Sequence, residues 1–301
     1  NVFGVPEWIK PALSSEMYVK IGLVLLGTTV VFDKLMQLGA IGILQSVIVV
    51  FGVWYFSFWL CKKMKIDEEM AMMLSSAVSI CGVSAAVATA GAIKGDKTKL
   101  SYIVSLVMIV AVPMIFLMPF LAKLIGLDAV MAGAWIGGTV DTTGAVVATG
   151  AVYGDEAKDA SVIIKSSQNV LLGIAAFMIS IYWSFKQSKG QKITGEKYAD
   201  KPSLTLIWDR FPKFVLGFIA ASLLFSFVID PAENKQAMDT LKKMQGLWFA
   251  LAFTSIGLET NFKSFLNVNN RKATGAFLIA QTFNIVFTLL VIYLLASLIG
   301  Y

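Results

Sequence analysis

Asp141 stands in the run Trp135-Ile136-Gly137-Gly138-Thr139-Val140-Asp141-Thr142-Thr143-Gly144, within a long apolar stretch. The glycines and threonines around it can unwind a helix and supply free carbonyls, hydroxyls and amide N–H groups. A carboxylate at membrane depth is costly unless it is paired or binds an ion, so its default reading is functional. Oxygen-rich surroundings suit a hard cation such as Na⁺, and a titrating Asp equally suits H⁺. The competing reading makes Asp141 the cap of a second half-helix, accepting an N–H from Thr143 or Gly144. Capping and binding are compatible at a broken helix. Further along, Lys165-Ser166-Ser167-Gln168-Asn169 forms a polar run inside an apolar one. Lys165, Gln168 and Asn169 share one helical face through their i+3 and i+4 spacings. Lys165 there either neutralises Asp141 or attracts an anion, or it snorkels from a helix end. Asp141, Gln168 and Asn169 make the expected ion-coupling set.

The elements that must hold these residues occur twice. Ser75 to Lys97 and Trp135 to Glu156 each have an apolar half, a Gly/Ser/Thr break, a second short half and a charged turn, offset by 60 residues and by 59 at the turn. Paired interrupted segments in a hydrophobic chain point to a transporter binding site. The first segment carries Ser79, Cys81, Gly82 and Ser84 and no charge. Its half-helix N–H groups after the Cys81-Gly82 break suit an anion, or its small residues only allow close packing. Together with Thr139, Thr142, Thr143 and Lys165, these four residues are the expected substrate contacts.

Composition fixes the setting. Of 301 residues, 57% are hydrophobic and only 15% are charged, with a mean hydropathy of +0.76. A soluble domain carries about 25% charged residues, and several apolar runs here reach the roughly 20 residues that cross a bilayer. The reading is a polytopic helical membrane protein, not a β-barrel. The net charge of +6 comes from lysines spread among loops between spans, which reads as positive-inside topology rather than nucleic-acid binding. Cys61 and Cys81 give no disulfide or metal pattern, and the chain has no histidine, which removes His-based relays and ordinary zinc sites. No catalytic constellation or phosphate-binding loop is present, so the expectation is a non-enzyme whose transport is passive or ion-driven. The chain begins Asn1-Val2-Phe3, without a signal peptide's pattern, and this start is taken as arbitrary.

The expected spans are Met17–Phe32, Gly39–Leu60, Thr98–Ile125, Ala160–Trp183, Phe214–Ile229, Leu247–Leu258 with a backward extension to about Lys235, and Ala273–Gly300, with the interrupted segments at Glu69–Ile93 and Ala129–Tyr153. By domain, 1–68 holds panel-like N-terminal spans, 69–183 the core, 184–213 a basic cytoplasmic loop and 214–301 the C-terminal spans. Lys62, Lys63 and Lys65 fall on the inside with that loop. Lys94, Lys97 and Lys99 then discriminate between two folds. They are internal if Glu69–Ile93 is a re-entrant hairpin and external if it is a broken helix that crosses; with about 11 residues, or about 16 Å, each half-helix reaches the bilayer middle. The charge rule favours two opposed hairpins in an inverted-repeat core, and the crossing arrangement stays open. Gln281 and Asn284, at i and i+3 in the last span, read as interhelical glue.

The stretches Ser79-Ile80-Cys81-Gly82-Val83-Ser84-Ala85-Ala86 and Gly137-Gly138-Thr139-Val140-Asp141 to Val146-Val147-Ala148-Thr149-Gly150, with Lys165, resemble the YeiH-type family of bacterial inner-membrane proteins, which bears the label of sulfate exporters. The likeness runs from about Met17 to the C-terminus. The family looks distantly similar to bile-acid and arsenite carriers, which implies an elevator or rocking-bundle secondary transporter in the bacterial inner membrane. The chain departs from the family pattern at telling places. Asp141 and Thr142 replace a His-acid pair, Ala145 replaces a Gln, and Gln168 replaces an Arg, while Lys165 is kept. Losing His and Arg removes two anion partners and favours a cation-coordinating set. The resulting expectation is a multi-pass secondary transporter of a small sulfur-containing or organic anion, coupled to Na⁺, with H⁺ coupling or an uncoupled channel or regulatory protein as alternatives. Its expected partners are the anion, the lipid bilayer and a second copy in a homodimer, with no cofactor beyond the coupling ion.

Overall fold

The computed structural model describes residues 14–28, 32–190, 213–229, 234–259 and 271–299. Among these the chain is helical, with no strand: α1 (Ser15–Leu26), α2 (Phe32–Lys63), α3 (Glu68–Ser76), α4 (Val83–Ile93), α5 (Lys97–Ile125), α6 (Ala129–Thr139), α7 (Thr143–Tyr153), α8 (Asp155–Gly190), α9 (Phe214–Phe227), α10 (Lys235–Glu259) and α11 (Arg271–Ile299). By length and composition, four helices can cross a membrane, over Leu38–Lys63, Lys97–Ile125, Asp155–Trp183 and Arg271–Leu298. The chain is a polytopic helical membrane protein. α8 runs on to Gly190, into the stretch expected as a loop. The rest of that loop and the turns at 230–233 and 260–270 lie outside the described residues.

Aspartates set where the helices begin. Asp67 accepts the Met70 N–H at 3.2 Å, Asp128 accepts that of Met131 at 2.9 Å, and Asp96 accepts those of Lys99 and Thr98, both at 2.9 Å. Each satisfies an N–H that a helix start leaves open. The Asp96 carboxyl is held below the ordinary carboxylate range, first by the Lys99 N–H. In α5, Pro113 and Pro119 sit inside a continuous 29-residue helix.

Both interrupted segments are re-entrant hairpins. The Lys99 ammonium, just past the end of α4, binds Asp67 at 2.7 Å and Glu69 at 3.0 Å, at the start of α3. A Cβ on Gly95 would lie 3.4 Å from the Met73 sulfur in α3. The outer ends of α3 and α4 therefore share one mouth. In the second segment, the Tyr153 hydroxyl at the end of α7 donates to the Leu127 carbonyl just before α6, and Lys123 lies over the Tyr153 ring. α5 begins at the first mouth and ends at the second, and its 29 residues span about 43 Å. The mouths thus lie at opposite ends of a spanning helix, and the repeat is inverted. Lys94, Lys97 and Lys99 fall on the same side as Lys62, which reaches Glu68 across the first mouth at 3.9 Å.

Packing divides the helices. The second hairpin lies close against α8, because Gly133 and Gly137 leave room for α8 backbone: a Cβ on either would come within 2.5 Å of the carbonyl oxygen of Ala157 or Ser161. Such small-residue contacts let helices approach in a membrane. α2 packs on α3, α8 and α11, so the core draws in helices from both ends of the chain. α1 packs instead with α9 and α10, Gly22 against the Phe249 ring and Gly217 against Val24. The two groups meet through an apolar cluster that includes Leu23, Phe218 and Phe249 on one side and Val147, Ile163 and Leu38 on the other.

The hairpins fix an accessibility pattern. With the native cysteines replaced, Lys97→Cys and Lys65→Cys in oriented vesicles are expected to react with an impermeant thiol reagent from the same side, and Gly154→Cys from the other. Reaction of positions 65 and 97 from opposite sides would mean that the first segment crosses.

Candidate functional site

The first break is a change in helix type followed by a glycine. Ala77–Cys81 winds as a π-helix, and Gly82 follows at φ 59°, ψ −110°. Ser79 turns its hydroxyl back onto the Ser75 carbonyl at 2.7 Å, which loosens the regular ladder. Only glycine adopts the Gly82 conformation without strain, and a Cβ there would stand 2.7 Å from Val107. α4 then starts with no side chain capping it, so its first N–H groups and the positive end of its dipole face the break. Ser84 lies in that first turn and is half-buried.

The second break is an extended stretch. α6 stops at Thr139, and Val140 and Thr142 are in the β region. The Thr142 hydroxyl accepts the Ala145 N–H at 3.2 Å, so Thr142 caps α7. That corrects the reading of Asp141 as the cap. Asp141 is 2% exposed, and neither of its carboxylate oxygens has a hydrogen-bond partner among the described residues.

The two breaks touch. A Cβ on Gly82 would be 3.3 Å from the Asp141 Cβ and 3.3 Å from the Thr142 Cγ2. The glycine at one hairpin tip thus lies against the acidic turn of the other, between the two mouths.

Side chains from α8 and α11 fill in around this contact. Lys165 is 1% exposed and does not snorkel: its ammonium donates to the Ile80 carbonyl at 2.6 Å and to the Gln168 Oε1 at 2.8 Å. Gln168 in turn donates to the Ser79 carbonyl at 2.9 Å. Both ends of the Gln168 amide are thus engaged at the first break, away from the cation role expected for it. Asn169 donates to the Thr143 hydroxyl at 3.2 Å, at the second break. Cys81 and Ser79 are buried beside the Lys165 anchor. Of the expected residues, the structure gathers Ser79, Cys81, Gly82, Thr139, Asp141, Thr142, Thr143, Lys165, Gln168 and Asn169 around the two breaks.

Gln281 and Asn284, expected as glue between helices, prove to be glue on the site. Gln281 donates to the Thr139 carbonyl at 3.0 Å; Asn284 donates to Thr139 at 3.3 Å and to Val78, in the first break, at 3.2 Å. Thr288 donates to the Asn284 Oδ1 at 2.8 Å. Gln45 on α2 donates to Ala134 in α6 at 3.0 Å, and Trp135 donates to Ile285 in α11 at 2.8 Å. The i, i+3 spacing of Gln281 and Asn284 was the available signal. What it lacked was the partner, a break distant in sequence.

An acidic and a basic side chain are thus buried in one place, with no ion pair between them among the described residues. Lys165 is hydrogen-bonded to the first break, and Asp141 stands unpartnered in the second. An unpaired carboxylate at this depth needs a cation or a proton.

The chain matches the family described as Conserved hypothetical protein 698 over residues 11–276. It is 39% identical over 305 residues to a UPF0324 membrane protein of Rhodopirellula baltica, covering 98% of this chain and 55% of that protein. To a UPF0324 membrane protein of Nitratidesulfovibrio vulgaris it is 38% identical over 309 residues, covering 98% of this chain and 52% of the relative. A UPF0324 membrane protein of Clostridium tetani is 26% identical over 273 residues, at 89% and 77% coverage. The chain spans about half the length of the first two of these curated relatives. No solved structure matches it.

Removing the Lys165 anchor should loosen the first hairpin. Lys165→Met leaves the Ile80 carbonyl and the Gln168 oxygen unpaired, at a cost of about 3 kcal/mol for two charge-assisted bonds. The expected readout is a lower melting temperature of the purified protein, together with new protease cleavage near 77–84. An unchanged melting temperature would show that these two bonds carry no stability.

Proposed function

The chain belongs to the UPF0324 membrane-protein family, the YeiH-type family whose motifs it carries, and on that premise we propose that it is a secondary active transporter of a small anion, driven by a coupling cation. The observation that carries this reading is the buried, unpartnered Asp141 carboxylate, seated where the tips of two opposed hairpins touch. A membrane protein that needed only stability would neutralise or replace such a group, since an unpaired buried charge is destabilising. An ion-driven carrier needs it, because its charge state is where the ion gradient acts.

The same contact offers an anion its counter-charges. α4 presents an uncapped, positive N-terminus beside Gly82, and Lys165 lies across the Ile80 carbonyl. Gly82 and Ser84 on the first hairpin, with Thr142 and Thr143 on the second, would contact the substrate. A small sulfur-containing or organic anion fits the size and polarity of these groups. Na⁺ is the preferred coupling ion because the groups left open beside Asp141 are oxygens. H⁺ is the second reading, favoured by the bare carboxylate itself, which could cross the cycle protonated.

The packing supports alternating access. The hairpin core and the α1, α9 and α10 group meet along a surface that includes a shared apolar cluster, the kind of non-directional contact across which packed helices can slide. With the lysine-rich first mouth on the cytoplasmic side, the second opens outward. The protein would then work in the bacterial inner membrane.

In proteoliposomes, anion accumulation driven by an imposed Na⁺ gradient is expected to fall at least tenfold in Asp141→Asn, with an imposed pH gradient as the comparison. Undiminished coupled flux in that variant would remove Asp141 from the coupling role, and accumulation driven by the pH gradient alone would select H⁺.

A further inference from the structure

Each side-chain amide beside the second break turns its nitrogen toward an acceptor. Gln281 gives its NH₂ to the Thr139 carbonyl, and Asn169 gives its NH₂ to the Thr143 hydroxyl. The Gln281 Oε1 and the Asn169 Oδ1 are left buried with no partner among the described residues. The Thr139 hydroxyl and both Asp141 oxygens share that condition. Thr139, Asp141, Asn169 and Gln281 are each at most 3% exposed. Thr139 and Asp141 belong to the break itself, and the other two residues are hydrogen-bonded to positions within two residues of Asp141.

A buried unsatisfied acceptor is destabilising, and native structures keep few of them. Here five oxygens concentrate on one five-residue break. The donors that could have satisfied them are committed elsewhere: Lys165 to the first break, and Asn284 to the Val78 and Thr139 carbonyls. Apart from the Thr139 hydroxyl and the second N–H of each amide, these four side chains offer an anion only acceptor oxygens. A metal that prefers nitrogen or sulfur would find neither. A set of oxygens carrying one negative charge matches a small, hard, monovalent cation.

We propose that Thr139, Asp141, Asn169 and Gln281 form an all-oxygen Na⁺ site at the second break, with Gln281 of α11 as a ligand and Gln168 outside the set. Gln168 is excluded because its oxygen already accepts from the Lys165 ammonium. The assignment divides the contact region by charge. The second break with α11 takes the cation, and the first break with Lys165 and the α4 N-terminus takes the anion. It also ties the cation to three elements, the second hairpin, the following α8 and the sequence-distant α11, so that binding would fix their relative positions. The inference rests on the coupled-transporter reading for its role, while its test needs no transport.

The experiment is thermal melting of the purified full chain in detergent, titrated with NaCl, KCl or choline chloride at constant chloride and pH. The melting temperature is expected to rise saturably with Na⁺ and to stay flat with K⁺ and choline. Thr139→Val, which removes only the hydroxyl, should raise the Na⁺ midpoint at least tenfold. Gln281→Glu, which adds a second carboxylate, should make Ca²⁺ stabilising where it had no effect before. Asp141→Asn should melt without any Na⁺ response. Should that variant fail to fold, the other two still decide the matter. Equal stabilisation by all three salts would overturn the site. So would a Na⁺ midpoint unchanged in Thr139→Val with no Ca²⁺ response in Gln281→Glu. Selective Na⁺ stabilisation without Na⁺-driven flux would leave the site standing and remove the coupling reading instead.

Discussion

The backbone carbonyls opened by two helix breaks govern this structure. Inside a bilayer no water is at hand to satisfy them, so a helix can stop at mid-depth only where side chains replace the lost bonds. At the first break, Asn284, Gln168 and Lys165 bond the successive carbonyls of Val78, Ser79 and Ile80. At the second, Gln281 and Asn284 converge on Thr139. Asn284 serves both breaks and joins the two hairpin tips through α11. The buried polar residues of α8 and α11 therefore hold the tips together before they do anything to a solute.

Against that background the groups left unsatisfied become informative. A fold able to place so many donors on carbonyls had the means to place one on Asp141, and it did not. The tips also differ in kind. The first is held by a cation and a neutral amide, and its following helix starts uncapped. The second is held by neutral amides, and its following helix is capped by Thr142. One duplicated plan has thus become two electrostatic environments: a positive end facing the break in the first hairpin, a bare carboxylate in the second.

Much of this was legible in the chain. The twin Gly/Ser/Thr interruptions located both breaks to within a few residues, because glycine and threonine weaken a helix where they cluster. The three lysines at 94, 97 and 99 pointed to the hairpin, and the ion pairs of Lys99 with Asp67 and Glu69 bear that out. Partnership was not legible. Whether Asp141 or Thr142 caps α7 turns on one residue of backbone geometry, and both types cap well. Whether Gln168 faces a cation or serves Lys165 turns on the π-helix at Ala77–Cys81, which directs the Ser79 and Ile80 carbonyls toward α8. Local sequence does not encode a contact between residues 85 or more positions apart.

On the transporter reading, the separation of charges supplies its own coupling. Lys165 positive and Asp141 negative sum to no net charge, so an anion arriving at the bare contact gains little. A bound cation leaves the region with one net positive charge, in a medium where unit charges a few ångströms apart interact far more strongly than in water. Anion binding is then strengthened by the cation and gains little without it, and by linkage the anion holds the cation in turn. A direct Lys165–Asp141 ion pair would defeat this, since each charge would already be spent on the other. Holding the lysine on the Ile80 carbonyl and the Gln168 oxygen keeps that pair from forming, and so keeps the carboxylate open to a coupling ion.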